Sequence, residues 1–280
     1  SYTDESALIC WHYDHSKGRS IKGINLLMAF YHAQTVKEDL PLRVPIGYQT
    51  VRKTELVKDS KTGKEQRKSP VTKNEMLQGM IIQSIQNQLK FKYVIADSWF
   101  GSSENMRFIH QKKRFFIFDM KTNRLAALTD QDRNAGRFTR IDKLQLPLET
   151  SVKVWLKDLN IRVVMIKQIF KNKDSSTGER YLVSNDLGLN FDQFKTLYKK
   201  RWSVEEYHKS IKQNTAVANS PTRTIRTQSN HLFALILAYI RFEKLKLGTT
   251  INHFALKAKL YIVAIKAAYK ELTHITKLYS

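Results

Sequence analysis

The feature that most constrains the fold is the order of patterns between Thr72 and Met120. Apolar residues at Leu77, Met80, Ile81, Ile85 and Leu89 have helical spacing. The run KYVIAD then closes on Asp97, with apolar side chains on both faces, the pattern of a central strand covered on both sides. SSENMRFIHQKK (102–113) reads as a helix with Ser102 as its N-cap, and RFFIFDM (114–120) as a second buried strand. Helix, strand, helix, strand is the order of an α/β sheet flanked by helices.

The flanking stretches read differently. ALICWHY (7–13) and IKGINLLMAFY (21–31) are rich in aromatic and branched residues and are separated by the turn DHSKGRS, which predicts a β-hairpin. Residues 34–48 read as strand and loop, and the charged stretch 52–69 as a solvated loop. From about 124 to 180 apolar and polar residues alternate without helical period, which predicts antiparallel strands joined through the turn KNKDSSTGER, and RYLVSND returns to the main sheet. Asn190 and Gln193 form an N-cap and N3 pair before a long helix. Two more helices are expected over about 226–246 and 251–278.

Charge narrows the function. The chain has 48 Lys and Arg against 25 Asp and Glu, a formal +23. Such an excess favours a polyanion, because neutralised phosphates release counterions whatever the base sequence. A nucleic acid is the first candidate; an anionic membrane surface and a merely basic soluble protein are the others. The single cysteine, Cys10, excludes a disulfide framework and a Cys-rich zinc site. The apolar run Leu232–Ile240 is too short to cross a bilayer. The eight histidines lack H-x3-H and H-E-x-x-H spacings. No phosphate-binding glycine loop, dinucleotide fingerprint or G-x-S-x-G elbow is present.

Within YKKRWSVEEYHKSIKQ (198–213), Tyr198, Arg201, Glu205 and Lys212 stand at offsets 0, 3, 7 and 14. On one continuous helix, at ~100° per residue, they share an arc of roughly 60°. Taken alone, such a stripe is equally an exposed face carrying i,i+4 pairs such as Glu205–Lys209, worth about 0.3–0.5 kcal/mol each. A capping box between Ser203 and Glu206 would break the helix near Trp202.

The pattern Y-(2)-R-(3)-E-(6)-K resembles the signature of bacterial insertion-sequence transposases of the DDE type. VIADSWFGSSENMRFIHQKKRFFIFDMKTNR (94–124) is similar to that family's second acidic block. The resemblance implies an RNase H-like mixed sheet flanked by helices, with an inserted antiparallel β module and a helical C-terminus. It divides the chain into a first core part (1–123), a β-rich insertion (124–180), a second core part with the Glu helix (181–249) and a C-terminal helix (250–280). It implies Asp97 and Glu205 as the second and third metal-binding catalytic acids, with two Mg²⁺ ions for which Mn²⁺ substitutes.

By the same resemblance, Tyr198, Arg201 and Lys212 contact DNA near the cut, Lys121 and Arg124 flank the groove, and Tyr181 stacks on a flipped base, the alternative for it being a core tyrosine. Trp202 and Trp155 are expected to pack. The first acid has no match after Ser1 and is expected upstream, so this chain alone is expected to be inactive. The partners implied are double-stranded DNA, at transposon ends and target, and a second copy in a paired-end complex, in the bacterial cytoplasm. A DNA-binding remnant without catalysis and a stand-alone nuclease of the same fold are the rival readings.

Overall fold

In a computed structural model, the chain is described over residues 6–14, 17–34, 41–58, 63–171, 174–214, 224–249 and 251–278. In chain order the strands and helices are β1 (Cys10–Asp14), β2 (Arg19–Gly23), β3 (Leu26–Ala33), β4 (Leu42–Thr50), β5 (Glu55–Lys58), β6 (Glu65–Lys68), α1 (Lys73–Gln86), β7 (Tyr93–Ala96), α2 (Ser103–Gln111), β8 (Phe115–Asp119), β9 (Leu125–Ala127), α3 (Asp130–Asn134), β10 (Thr139–Arg140), β11 (Ser151–Leu156), β12 (Arg162–Lys171), β13 (Thr177–Ser184), α4 (Phe191–Lys199), α5 (Ser203–Asn214), α6 (Ile225–Thr249) and α7 (His253–Leu278). They form a mixed α/β molecule of two compact units. Thr72–Trp202 forms one; Ser1–Val71 together with Ser203–Ser280 forms the other.

The Thr72–Trp202 unit is built on a seven-stranded sheet of order β10-β9-β11-β12-β13-β8-β7. Only β7 and β8 run parallel; the other pairs are antiparallel. Its side chains alternate onto two cores, as a period of two requires. Phe116, Phe118, Met165, Tyr181 and Val183 pack on one face with Ile81 of α1 and Met106 and Ile109 of α2. Ile117, Val164, Ile166 and Leu182 pack on the other with Phe194 and Tyr198 of α4. The helices begin where their caps dictate. Thr72 and Glu75 close a capping box on α1, Ser102 accepts from the Asn105 N–H on α2, and Asn190 and Gln193 box α4.

Two expectations change. β7 is covered on both faces but stands at the sheet's edge, not at its centre: Val94 and Ala96 serve one core, Tyr93 and Ile95 the other. The strands between 124 and 180 are antiparallel, as expected, and β9 to β12 join the sheet that holds β7 and β8. Trp155 is only partly buried; its ring lies 3.9 Å from the Arg133 guanidinium.

The second unit carries three two-stranded ribbons, β1-β2, β3-β4 and β5-β6, with α5, α6 and α7. The strand expected over 21–31 is two: β2 ends at Gly23, and β3 pairs with β4 instead. The charged stretch 52–69 is not a plain loop. β5 and β6 pair from Glu55↔Lys68 to Lys58↔Glu65, so opposite charges face each other at both ends of the ladder. Among the described residues no helix is long and apolar enough to cross a membrane.

Candidate functional site

The parallel register aligns Ala96 with Phe118, so Asp97 and Asp119 leave the carboxyl ends of adjacent strands at one level. Alternation puts both on the α4 face, in step with Ile95 and Ile117. β13 runs antiparallel beside them with Leu182 opposite Asp119, and two residues earlier Arg180 projects to the same face. Arg180 Nε lies 3.6 Å from the Asp119 carboxylate. α4 and the 3-10 turn Lys200–Trp202 complete the cluster. The Arg180 and Arg201 guanidiniums sit 5.3 and 5.6 Å from the centre of the Tyr198 ring.

The electrostatics follow from this crowding. Burial raises the Asp119 carboxyl above its ordinary value; Arg180 opposes the rise, and the nearby Asp97 charge adds to it. Tyr198, only 6% exposed, is pushed up to about 12, first by burial and then by Asp119. Its hydroxyl therefore stays protonated at neutral pH, and its ring is a plate on which two guanidiniums rest.

Asp97 itself is exposed and accepts the Trp99 N–H at 3.0 Å in an Asx turn. The turn leaves the Trp99 indole 55% exposed, with Lys73 Nζ and Lys121 Nζ at 5.5 and 5.8 Å from its ring. Gly101 lets this loop close on β8: a Cβ there would stand 2.9 Å from the Asp119 carbonyl oxygen. Arg124 donates to Ser103 Oγ at 2.6 Å, which pins it to the start of α2.

Tyr181 lies on the opposite face. Its ring is fully buried among Phe116, Phe118 and Met165, and its hydroxyl donates to Glu179 at 2.7 Å. Trp202, expected to pack, is 56% exposed.

The stripe from Tyr198 to Lys212 is not one helix. α4 ends at Lys199, the 3-10 turn follows, and α5 starts at Ser203. Tyr198 and Arg201 thus belong to one unit, Glu205 and Lys212 to the other.

On α5, Glu205 is partly buried and Lys212 exposed. His208 lies between them, held below its ordinary pKa first by burial and then by Lys212. Tyr207 and Ile211, on the inner side of α5, pack with Tyr239 of α6 and with Met28 and Phe30 of β3. The Tyr207 and Tyr239 rings meet edge to face at 4.7 Å. Arg43 of β4 pairs with Glu206.

Behind that layer lies a buried polar chain. Ser210 Oγ is 3.0 Å from His253 Nδ1, and His253 Nε2 is 3.0 Å from Glu243, which also meets Lys246 at 3.3 Å. Burial opposes the Glu243 charge, but His253 and Lys246 outweigh it and leave the carboxyl below its ordinary value.

Asp119, Arg180 and Trp99 are the members that sequence reasoning passed over. Asp119 closes the strand in RFFIFDM as Asp97 closes KYVIAD, a parallel that was there to be read. In RYLVSND the aromatic drew attention from the arginine beside it, and strand alternation sends the two to opposite faces.

No curated protein matches the chain. The family model described as "Transposase DDE domain" matches residues 11–241, which spans β7, β8, β13, α4 and α5. Two acids at neighbouring strand ends amid cations, with a further acid on a helix downstream, fit that match, and the chain belongs to the transposase DDE domain family.

Proposed function

We propose that Asp97 and Glu205 are metal-binding acids of an enzyme that cuts phosphodiester bonds at transposon ends, after which the freed 3′-hydroxyl joins a second strand. The observation that carries this reading is the exposed Asp97 at the end of β7, level with Asp119, whose charge Arg180 and Arg201 face, in a chain of this family. The donor set suits Mg²⁺ or Mn²⁺, which take hard carboxylate oxygens. Among the described residues no three His, Cys, Asp or Glu side chains converge. The reading therefore takes the remaining oxygens from substrate phosphate, water and the first acid of the triad.

Two divalent ions there supply an activated water and charge for the leaving oxygen. The chain's own residues do the rest. Arg201 and Arg180, steadied on Tyr198, contact phosphates near the cut, for which a planar guanidinium is suited. Lys121 and Lys212 contribute point charges along the backbone, and Arg124 orders the start of α2 beside the groove. The buried Tyr181 supports the sheet, and Trp99 offers the open aromatic face near the acid. The substrate is double-stranded DNA in the bacterial cytoplasm, and two copies act together, one at each transposon end.

Glu205→Gln should leave end binding nearly intact and abolish Mg²⁺-dependent nicking. Cleavage at the normal rate by that variant, or by Asp97→Asn, overturns the assignment. Nicking of transposon-end duplexes by this chain without added sequence would show that it already holds every catalytic group.

A further inference from the structure

β7 and β8 share one electrical plan. Each strand leads to an acid, Asp97 or Asp119, and each is entered through cations: Lys90 and Lys92 before β7, and Lys112, Lys113 and Arg114 before β8. Because the two strands run parallel, those cations gather at the amino end of the pair. Lys92 stands about 16 Å from the level of Asp97, at ~3.3 Å per strand residue.

An open groove of about 520 Å³ lies at that end. Ile85, Leu89 and Phe91 give it an apolar wall, and Lys90, Lys92 and Arg114 a basic rim. The Arg114 guanidinium lies over the Phe91 ring, 5.1 Å from its centre, and its Nε has no hydrogen-bond partner among the described residues. Lys113, which delivers it, has a φ of 55°, where glycine is the relaxed choice, so a cation stands there at a backbone cost. Lys112 caps α2, where a cation opposes the helix dipole. Lys90, Lys92 and Arg114 stand beyond the helix ends, and that reason does not reach them. The nearby acid Asp186 meets Lys92 at 3.4 Å and is already shared with the Tyr93 hydroxyl at 2.6 Å.

We propose that this groove binds an unpaired strand of nucleic acid, with a base laid on the Arg114 guanidinium and the flanking phosphates on Lys90 and Lys92. A guanidinium backed by an aromatic ring is a flat cationic plate, a surface on which unpaired bases stack. A basic groove with stacking surfaces is the combination that single-strand sites use. A duplex hides its base faces in its own stack and would meet the rim alone. So open a groove does not enclose a free nucleotide, whereas ligand pockets bury most of what they hold. The site goes beyond the cleavage reading, since neither the acids nor metal enter it.

The test uses the full chain without divalent cation, so that its failure is distinct from failure of the nicking assay. Fluorescein-labelled oligothymidylate is followed by polarisation in excess unlabelled random duplex, which occupies surfaces that read phosphate alone. Binding should persist. Arg114→Lys, which keeps the charge and removes the plate, should weaken it at least about fivefold, the lower end of what one base stack is worth. Lys92→Gln should weaken it as well; Lys153→Gln, an equal charge lost from an exposed position on β11, should not. Ultraviolet crosslinks from the wild-type chain should map to residues 85–92 or 112–114, a readout that does not depend on any variant's folding. Four results overturn the proposal: loss of binding to excess duplex, equal weakening by Lys153→Gln, crosslinks confined to other residues, or tighter competition by ATP or polyglutamate than by unlabelled oligothymidylate.

Discussion

The acid at Asp97 and the acid at Glu205 are held by different physics. Asp97 follows a strand, so its place is set by the main-chain ladder between β7 and β8, a turn closed by its own carboxylate, and a glycine that lets the loop lie on Asp119. Glu205 rides on a helix, and its place is set by side chains: the Tyr207–Tyr239–Phe30 packing on the inner side of α5 and the Ser210–His253–Glu243 chain behind it. A ladder tolerates the loss of most single side chains. A helix held by a few aromatics and one buried ion pair does not.

The largest test of that contrast is Glu243→Ala. It leaves the buried His253 and the partly buried Lys246 without their carboxylate and should cost about 3 kcal/mol, because a buried polar group that loses its partner keeps its desolvation penalty. Urea denaturation followed by tyrosine fluorescence checks it. If the loss is below about 1 kcal/mol, the helix is not held as described.

The same group sharpens the contrast through pH. Its folded pKa lies below its ordinary 4.5, so its contribution is complete above that value and is lost as pH falls through the folded pKa. His208, held below its ordinary 6.5 by burial, acts in the same direction: stability rises as pH climbs from its folded pKa to 6.5 and then levels. Denaturation midpoints from acid to neutral pH should therefore rise in two steps. Glu243→Gln should shrink the lower step, to which other paired carboxylates such as Asp186 also contribute, and His208→Asn the upper.

Next in size is Gly101→Ala, on the strand-borne side. The added methyl meets a backbone oxygen at 2.9 Å, so the loop must move, at about 1–3 kcal/mol. Thermal melting should show the loss. A melt unchanged from wild type would mean that the loop does not depend on that close approach. The smallest effect belongs to Lys121→Ala. Its side chain is exposed, so stability should change by less than about 0.5 kcal/mol. The salt dependence of DNA binding should fall by about one unit of slope if Lys121 meets a phosphate. An unchanged slope removes it from the interface.

What was legible in the sequence was local. The boxes at Thr72–Glu75 and Asn190–Gln193 and the cap at Ser102 mark helix starts because the signal and its partner lie three residues apart. β7 and β8 were legible because their residues are apolar on both faces. The ribbon β5-β6 was not, because its residues are mostly charged or polar, and pairing there rests on cross-strand charges instead of burial. The division of the stripe at Lys200–Trp202 was foreshadowed only by Ser203 and Glu206, and nothing in the helical spacing forces it. The Asp119–Arg180 contact joins residues 61 apart through strand adjacency, and no window of sequence contains that.

The chain enters the sheet unit at Thr72 and leaves it at Trp202, so in sequence this unit interrupts the other. The order of synthesis follows from this interruption. On the ribosome the sheet, with Asp97 in place, is complete before the first residue of α5 is made. The opening ribbons must wait through all 131 intervening residues for their helices, on the order of ten seconds at ordinary translation speeds. A chain terminated early thus keeps its strand-borne carboxylate and never acquires the helix-borne one.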